Sequence, residues 1–210
     1  MSLDQLPKLG KNGLILEGLV TTLNEDQSVN ISPMGPIVDS ELKTLVLRPY
    51  RTSTTYVNLK RAGQGVFHVT DDVGLIARSA VGDPKLQPRL VPSNKVAGMV
   101  LADACRSYEF TVESVIDGER TQIIARTVAE QHHREFIGFN RAKHAVLEAA
   151  ILATRVEFLP TDEIFAELNR LQALVMKTAS AEEHKAFDFL REYIDRYAAS
   201  TAEPNGGPRA

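Results

Sequence analysis

The chain has one cysteine, Cys105, in 210 residues. A single thiol cannot close an internal disulfide, and it excludes CxxC redox and cysteine-rich zinc chemistry. No segment approaches ~18 uninterrupted apolar residues, so no membrane-spanning helix is expected. Met1-Ser-Leu-Asp-Gln-Leu lacks a basic stretch leading into an apolar run. No secretory signal is therefore expected, and the expected location is cytoplasmic. An excess of basic charge is also missing. With 24 Lys and Arg against 27 Asp and Glu, the net charge is −3 and the pI is near 6.0, which argues against nucleic acid as a partner. There is no Gly-x-Ser-x-Gly elbow, zinc-helix signature or Walker loop. Gly63-Gln-Gly65 is not a dinucleotide fingerprint, because His68 stands where the third glycine belongs and the motif precedes a strand pattern. His132 and His133 are adjacent on a strand pattern and face opposite sides, so no metal site is expected there.

The most informative absence is local. From Leu42 to Thr70 there is no acidic residue, although 27 acids spread over 210 positions would put nearly four in such a window. The same window holds Lys43, Arg48, Arg51, Lys60 and Arg61. At its centre is Arg48-Pro-Tyr-Arg-Thr-Ser-Thr-Thr-Tyr-Val-Asn58. Four consecutive hydroxyl side chains, Thr52, Ser53, Thr54 and Thr55, lead into a helix start. Short hydroxyls, free backbone N–H groups at a helix start and fixed guanidinium charge are what a phosphate requires. The segment reads as a binding site for a small phosphorylated cofactor. The bland alternative is a Thr-rich strand end with a helix cap, which needs no ligand.

The pattern changes near Phe139. Before it, short β-branched runs alternate with turns. Gly13 to Leu23 and Val29 to Ile31 flank a turn at Asn24 to Gln27. Leu45 to Arg48 and Val66 to Thr70 read as strands. Tyr108 to Ile116 and Thr121 to Ala129 bracket Asp117-Gly118, a strong hairpin signal. Two short helices interrupt the strands, Thr55 to Ala62 ending at Gly63, and one capped by Asp71 or Asp72 running to Ala80. The proline-rich segment from Lys85 to Ala97 reads as a loop. After Phe139 three helices are expected: Arg141 to Arg155 capped by Asn140, one opened by Pro160, and one opened by the capping box Ser180-Ala-Glu-Glu183. Strands followed by helices, without βαβ alternation, predict an α+β protein with an antiparallel barrel and a helical appendage.

Thr21-Thr-Leu-Asn-Glu-Asp-Gln-Ser-Val-Asn-Ile-Ser-Pro33 and Arg51-Thr-Ser-Thr-Thr-Tyr-Val-Asn-Leu-Lys-Arg-Ala-Gly-Gln-Gly-Val-Phe-His-Val69 resemble two units of the flavin-reductase-like FMN-binding split barrels. The first looks like their opening hairpin, the second like their unit of hydroxyls, short helix, glycine and strand. Phe139 to Arg155 resembles the second hallmark of the domain of unknown function 447 family, which joins such a barrel to a helical region. The resemblance implies an antiparallel six-stranded FMN-binding split β-barrel over residues 12–135 and a three-helix bundle over 139–199. Residues 200–210 would be a disordered tail. It also implies FMN as cofactor and a homodimer with flavin at the subunit interface.

Carried over by position, Thr52, Ser53, Thr54 and Thr55 would hold the FMN phosphate. Either Arg48 or Arg51 would neutralise it, with Arg48 preferred because it lies within a strand pattern. Asn30, Ser32 and Met34 would lie beside the flavin ring, with Gly35 permitting close approach. On the helix after Asn140, Arg141, His144, Glu148 and Arg155 share one face, and Arg141 and His144 are candidates for gripping an anionic substrate. The plainer alternative for that face is a solvated charge ladder. The leading expectation is an FMN-dependent oxidoreductase acting on a small-molecule substrate, with NADH or NADPH as electron donor. The alternative is a non-catalytic carrier or sensor of FMN or another phosphorylated ligand.

Overall fold

The computed structural model describes residues 13–117 and 121–202. In chain order the elements are β1 (Leu14–Ile15), β2 (Gly18–Leu23), β3 (Val29–Met34), β4 (Ile37–Val38), β5 (Thr44–Leu47), α1 (Thr54–Ala62), β6 (Gln64–Val69), α2 (Val73–Ala80), β7 (Leu90–Pro92), β8 (Met99–Leu101), β9 (Arg106–Ile116), β10 (Gln122–His132), α3 (Arg141–Ala153), α4 (Thr161–Thr178) and α5 (Ala181–Ala202). The chain forms two compact units. Among the described residues, one takes 13–72 together with those of Lys85–Ile137, and the other takes Val73–Pro84 and 138–202.

The first unit is an antiparallel eight-stranded sheet in the order β1-β4-β5-β10-β9-β6-β2-β3, with β7 and β8 as a separate pair. The α+β class agrees with the sequence reading, but the strand count does not. The six strands of four or more residues in the main sheet match the six expected. The two-residue β1 and β4 extend it beyond β5, and two residues are too few to give an alternation signal. β7 overturns the reading of 85–97 as loop throughout, because Leu90 to Pro92 pair with Leu101 to Met99. Pro92 ends that strand, where a missing N–H costs little. β9 and β10 pair from Ile116↔Gln122 to Arg106↔His132. Gly118 to Arg120, on which part of the expected turn falls, lie outside the described residues.

The core of this unit contains Val20, Leu45, Leu47, Tyr56, Leu59, Phe67, Tyr108, Phe110 and Ile123. Each large apolar side chain so buried is worth ~1.5–3 kcal/mol before entropy is charged. α1 joins this core through Tyr56 and Leu59, three residues apart on one face. Gly63 closes α1 at φ +65°, its N–H returning to the Leu59 carbonyl at 2.9 Å. Gly18 has a different reason: a Cβ there would sit 2.2 Å from the His68 carbonyl oxygen, so no side chain fits between β2 and β6.

In the second unit α2 packs against α3 and α5, and α3 packs against α4 and α5. The bundle therefore has four helices rather than three. Val73, Ile76 and Ala77 give α2 its buried stripe, but a short stripe does not reveal what it will cover. On α3, Ala142, Ala145, Ala149 and Ala153 are buried, while Arg141, His144 and Glu148 are exposed. Asn140 caps α3, accepting from the Lys143 N–H at 3.1 Å. The capping box on α5 forms: Glu183 accepts from the Ser180 N–H at 2.8 Å and its hydroxyl at 2.5 Å. Glu183 also pairs with Lys143 at 2.9 Å. Burial would raise the Glu183 pKa, but the Ser180 hydroxyl, Lys143 and the Ser180 N–H outweigh it and hold it at about 2. α5 runs to Ala202; the rest of the expected tail, from 203, lies outside the described residues.

Candidate functional site

The hydroxyl cluster predicted to hold a phosphate sits at the start of α1. Ser53 is the N-cap: its hydroxyl accepts from the Tyr56 N–H at 3.2 Å and donates to the Tyr50 carbonyl at 2.7 Å. The Val57 N–H reaches the Ser53 carbonyl at 3.2 Å. Between these, the N–H groups of Thr54 and Thr55 are first-turn donors with no acceptor inside the helix. No acidic residue lies in the first turn of α1, whereas α4 carries Asp162 and Glu163 there and α5 carries Glu182 and Glu183. Thr52, Thr54 and Arg51 are exposed. Thr55 differs: it is 1% exposed, and its hydroxyl oxygen accepts from the Asn30 amide at 3.0 Å.

Asn30, Ser32 and Met34 alternate along β3 and share a face. They lie opposite Thr22, Val20 and Gly18 of β2. Met34 packs against the barrel core, and the Ser32 hydroxyl makes only a long contact, 3.4 Å, to the Pro33 carbonyl. Asn30 is the member of this row that meets α1. Its amide nitrogen lies 3.2 Å from Thr22 Oγ1 and 3.0 Å from Thr55 Oγ1.

Behind Asn30 is a polar network that sequence reading missed. Asn58 donates to Thr22 Oγ1 at 3.0 Å and to Asn24 Oδ1 at 2.8 Å. Arg61 donates to Asn58 Oδ1 at 3.3 Å and, at 2.5 Å, to the Leu23 carbonyl. A signal was present: Thr55 and Asn58 are one turn apart on α1, a polar pair beside its apolar stripe.

Arg48 follows β5 and is half-buried, and its guanidinium reaches the Gly35 carbonyl at 3.4 Å. Gly35 lies five residues beyond Asn30, roughly 16 Å of extended chain. The close approach at Gly35 is to the Glu17 carboxylate, 2.7 Å from where a Cβ would stand. The acid-free window acquires an acid from outside. Asp117, at the end of β9, accepts from the Tyr56 hydroxyl at 3.0 Å and lies 3.7 Å from Lys60.

The remaining candidates lie elsewhere. His133 contacts the Ser107 hydroxyl at 2.9 Å, while His132 lies 3.2 Å from Glu135; the neighbours turn to different partners. Among the described residues no group of three or more His, Cys, Asp or Glu could hold a metal. Cys105 is buried, and burial raises its thiol pKa. Asp71, beside it, pairs with Arg134 and accepts the Ile137 N–H at 2.8 Å. Arg141 and His144 belong to the helical unit, where the 94% exposed Phe139 ring stacks on His144 at 6.0 Å.

No helix among the described residues is long and apolar enough to cross a membrane. No curated protein matches the chain. Residues 16–135 match the family model described as the N-terminal domain of a protein of unknown function, DUF447. Residues 140–192 match a second model of the same description. Among solved structures, an FMN-bound protein of Methanosarcina mazei carrying the DUF447 family model is similar over 88% of this chain and 97% of its own. The identity is 22% and the TM-score 0.73. The flavoredoxin of Desulfovibrio vulgaris (Miyazaki F) is 16% identical, covering 61% of this chain and 76% of its own at a TM-score of 0.50. An FMN-binding protein of Thermus thermophilus, solved with 1-cyclohex-2-enone, is 15% identical over 63% and 79% at 0.50. The fold shared with these structures is a split barrel, with a helical region added.

Proposed function

The chain belongs to the DUF447 family, and we propose that it is an FMN flavoprotein, an oxidoreductase of the flavin-reductase-like class acting on a small substrate. The observation that carries this is the start of α1. Exposed Thr52 and Thr54 hydroxyls, two N–H groups without intrahelical acceptors, a first turn free of acid and the nearby Arg51 fit a phosphate dianion. A fold shared with an FMN-bound protein favours FMN over other phosphorylated ligands.

In this reading Thr52, Ser53 and Thr54 line the phosphate end, and Thr55 contributes its backbone N–H, since its side chain is committed to Asn30. β3 carries the rest of the cofactor past Asn30 and Ser32 toward Met34, Gly35 and Arg48. Arg48 then belongs to the ring end, and Arg51 is the counter-charge of the phosphate. Among the described residues β3 is the last strand of its sheet, so a flavin laid along it needs a second wall, which a homodimer supplies. Arg141 and His144, exposed on the polar face of α3, are the proposed contacts to an anionic substrate group. FMN supplies the hydride or electron transfer, and the residues of the chain bind and orient it. A nicotinamide, NADH or NADPH, is the proposed donor.

The test is a visible spectrum of the purified protein with mass identification of the extracted ligand. Flavin absorbance that bleaches on adding NADH or NADPH supports a reductase. Absorbance that persists supports a carrier, and a colourless protein that takes up no added FMN refutes both. Thr54→Glu sharpens the test. An acid at the first position of a helix suits the dipole, so folding is kept, while its charge repels a phosphate. FMN affinity should fall more than about tenfold, the scale of one charge-assisted hydrogen bond, with riboflavin affinity unchanged.

A further inference from the structure

The geometry points to Asn30 as a recognition residue for the hydroxylated ribityl chain of the flavin, presenting an acceptor oxygen rather than a donor. This rests on the phosphate reading of the α1 start and adds what lies next to it. The polarity of the outer part of the network, as far as Thr22, can be traced from Arg61. A guanidinium can only donate, so Arg61 fixes the oxygen of Asn58 toward itself. Asn58 then turns its nitrogen to Thr22 Oγ1 and Asn24 Oδ1. Asn24 is held in the accepting sense because its own nitrogen donates to the Ser28 hydroxyl at 2.9 Å.

At the inner end, Asn30 commits both amide hydrogens, to Thr22 Oγ1 at 3.2 Å and Thr55 Oγ1 at 3.0 Å. Its Oδ1 accepts nothing among the described residues. It is also not sealed in, since Asn30 is half-buried and Oδ1 is not among the buried polar atoms lacking a partner. A bare carbonyl oxygen repels a phosphate and accepts from an O–H. Next to a phosphate held at Thr54, the ligand group of that chemistry is a hydroxyl of the chain joining phosphate to ring. Asn30 therefore distinguishes flavins with a polyol chain from those without one, while the α1 start distinguishes those with a phosphate.

The experiment titrates the full chain with FMN, riboflavin and lumiflavin, which lacks the polyol, following flavin fluorescence. The parent should prefer FMN to riboflavin; equal affinities would refute the phosphate reading and this inference with it. Asn30→Ala should weaken FMN and riboflavin by the same factor, about tenfold for one lost hydrogen bond, and leave lumiflavin unchanged. Asn30→Asp keeps an outward oxygen, and the Thr22 and Thr55 hydroxyls can turn to donate to it. It should bind riboflavin as the parent does, and it serves as the test if the alanine variant does not fold. A parent that prefers FMN, with an Asn30→Ala that loses FMN but not riboflavin, would mean the amide faces the phosphate, and would overturn this assignment alone. Equal loss of lumiflavin, or an Asn30→Asp as weak for riboflavin as the alanine variant, would also overturn it.

Discussion

Lowering the pH from 7.5 to 5 should cost this protein about 2 kcal/mol of stability through one side chain, His68. His68 is fully buried on β6. Its Nδ1 lies 3.3 Å from the Leu19 carbonyl, and its Nε2 accepts from the Leu101 N–H at 3.0 Å. The ring is thus neutral, with its hydrogen on Nδ1, and it ties β6 to β2 and β8. Burial pushes its pKa down, the Leu19 contact opposes this weakly, and repulsion from His133 adds to it; the result is about 3. The unfolded chain takes up this proton near 6.5 and the folded chain near 3. Stability is therefore fully present above 6.5 and drains away as the pH falls toward 3, at about 1.4 kcal/mol per pH unit. Urea unfolding followed by far-ultraviolet circular dichroism at pH 7.5 and pH 5 measures the loss. His68→Gln should be less stable at pH 7.5 by about 1–3 kcal/mol, because its amide matches both partners imperfectly. It should also lose about 2 kcal/mol less than the parent between the two pH values. His133, whose pKa is also lowered by burial and by His132, contributes a loss of the same sign in both proteins, so the difference isolates His68. Equal losses in parent and variant would refute the neutral, buried imidazole.

Two further outcomes concern buried carboxylates. Glu183→Gln removes an anion held at about 2 against an ordinary 4.5, a difference worth up to about 3 kcal/mol. That contribution is present above pH 4.5 and lost as the pH falls toward 2. The variant should melt well below the parent at pH 6 and close to it at pH 2.5, and equal melting at pH 6 would contradict the role given to Lys143 and Ser180. Glu109 is fully buried on β9 and accepts the N–H groups of Asn94, Lys95 and Val96 at 2.8, 2.6 and 3.2 Å. Glu109→Ala strands those donors, so their amide hydrogen exchange should accelerate by more than about tenfold and stability should fall by about 2–3 kcal/mol; unchanged exchange at 94–96 would show that the loop holds itself.

What could be read from the chain was whatever is specified within one turn or one strand pair. Gly63 after α1, Asn140 before α3 and the Ser180–Glu183 box act over three or four residues, and each appears as expected. The alternation of β9 and β10 predicted their pairing. Contacts made by elements distant in sequence were not legible. Nothing near Asn30 indicates that its amide will meet Thr55, 25 residues on, nor does anything near Tyr56 indicate Asp117, 61 residues on. The row Asn30, Ser32, Met34 was legible as a row, because alternation needs only the strand. That its Asn30 end abuts α1 and its Met34 end the barrel core is set by tertiary packing. The arginines show the same limit: strand position favoured Arg48 for the phosphate, but nothing near Arg48 in sequence indicates that its guanidinium will meet the Gly35 carbonyl, 13 residues before it.

The origin of α2 bears on how this chain can be divided. Its residues are encoded between β6 and β7, yet they complete the helical unit. The polypeptide thus leaves the barrel at Asp72, returns at Lys85 and leaves again after Ile137. A gene fragment ending near residue 138 would carry Val73, Ile76 and Ala77 without the helices that cover them, and one starting there would lack a quarter of its bundle. Neither half is an exchangeable cassette. During synthesis α2 must wait, its apolar stripe uncovered, until α3 and α5 have been made.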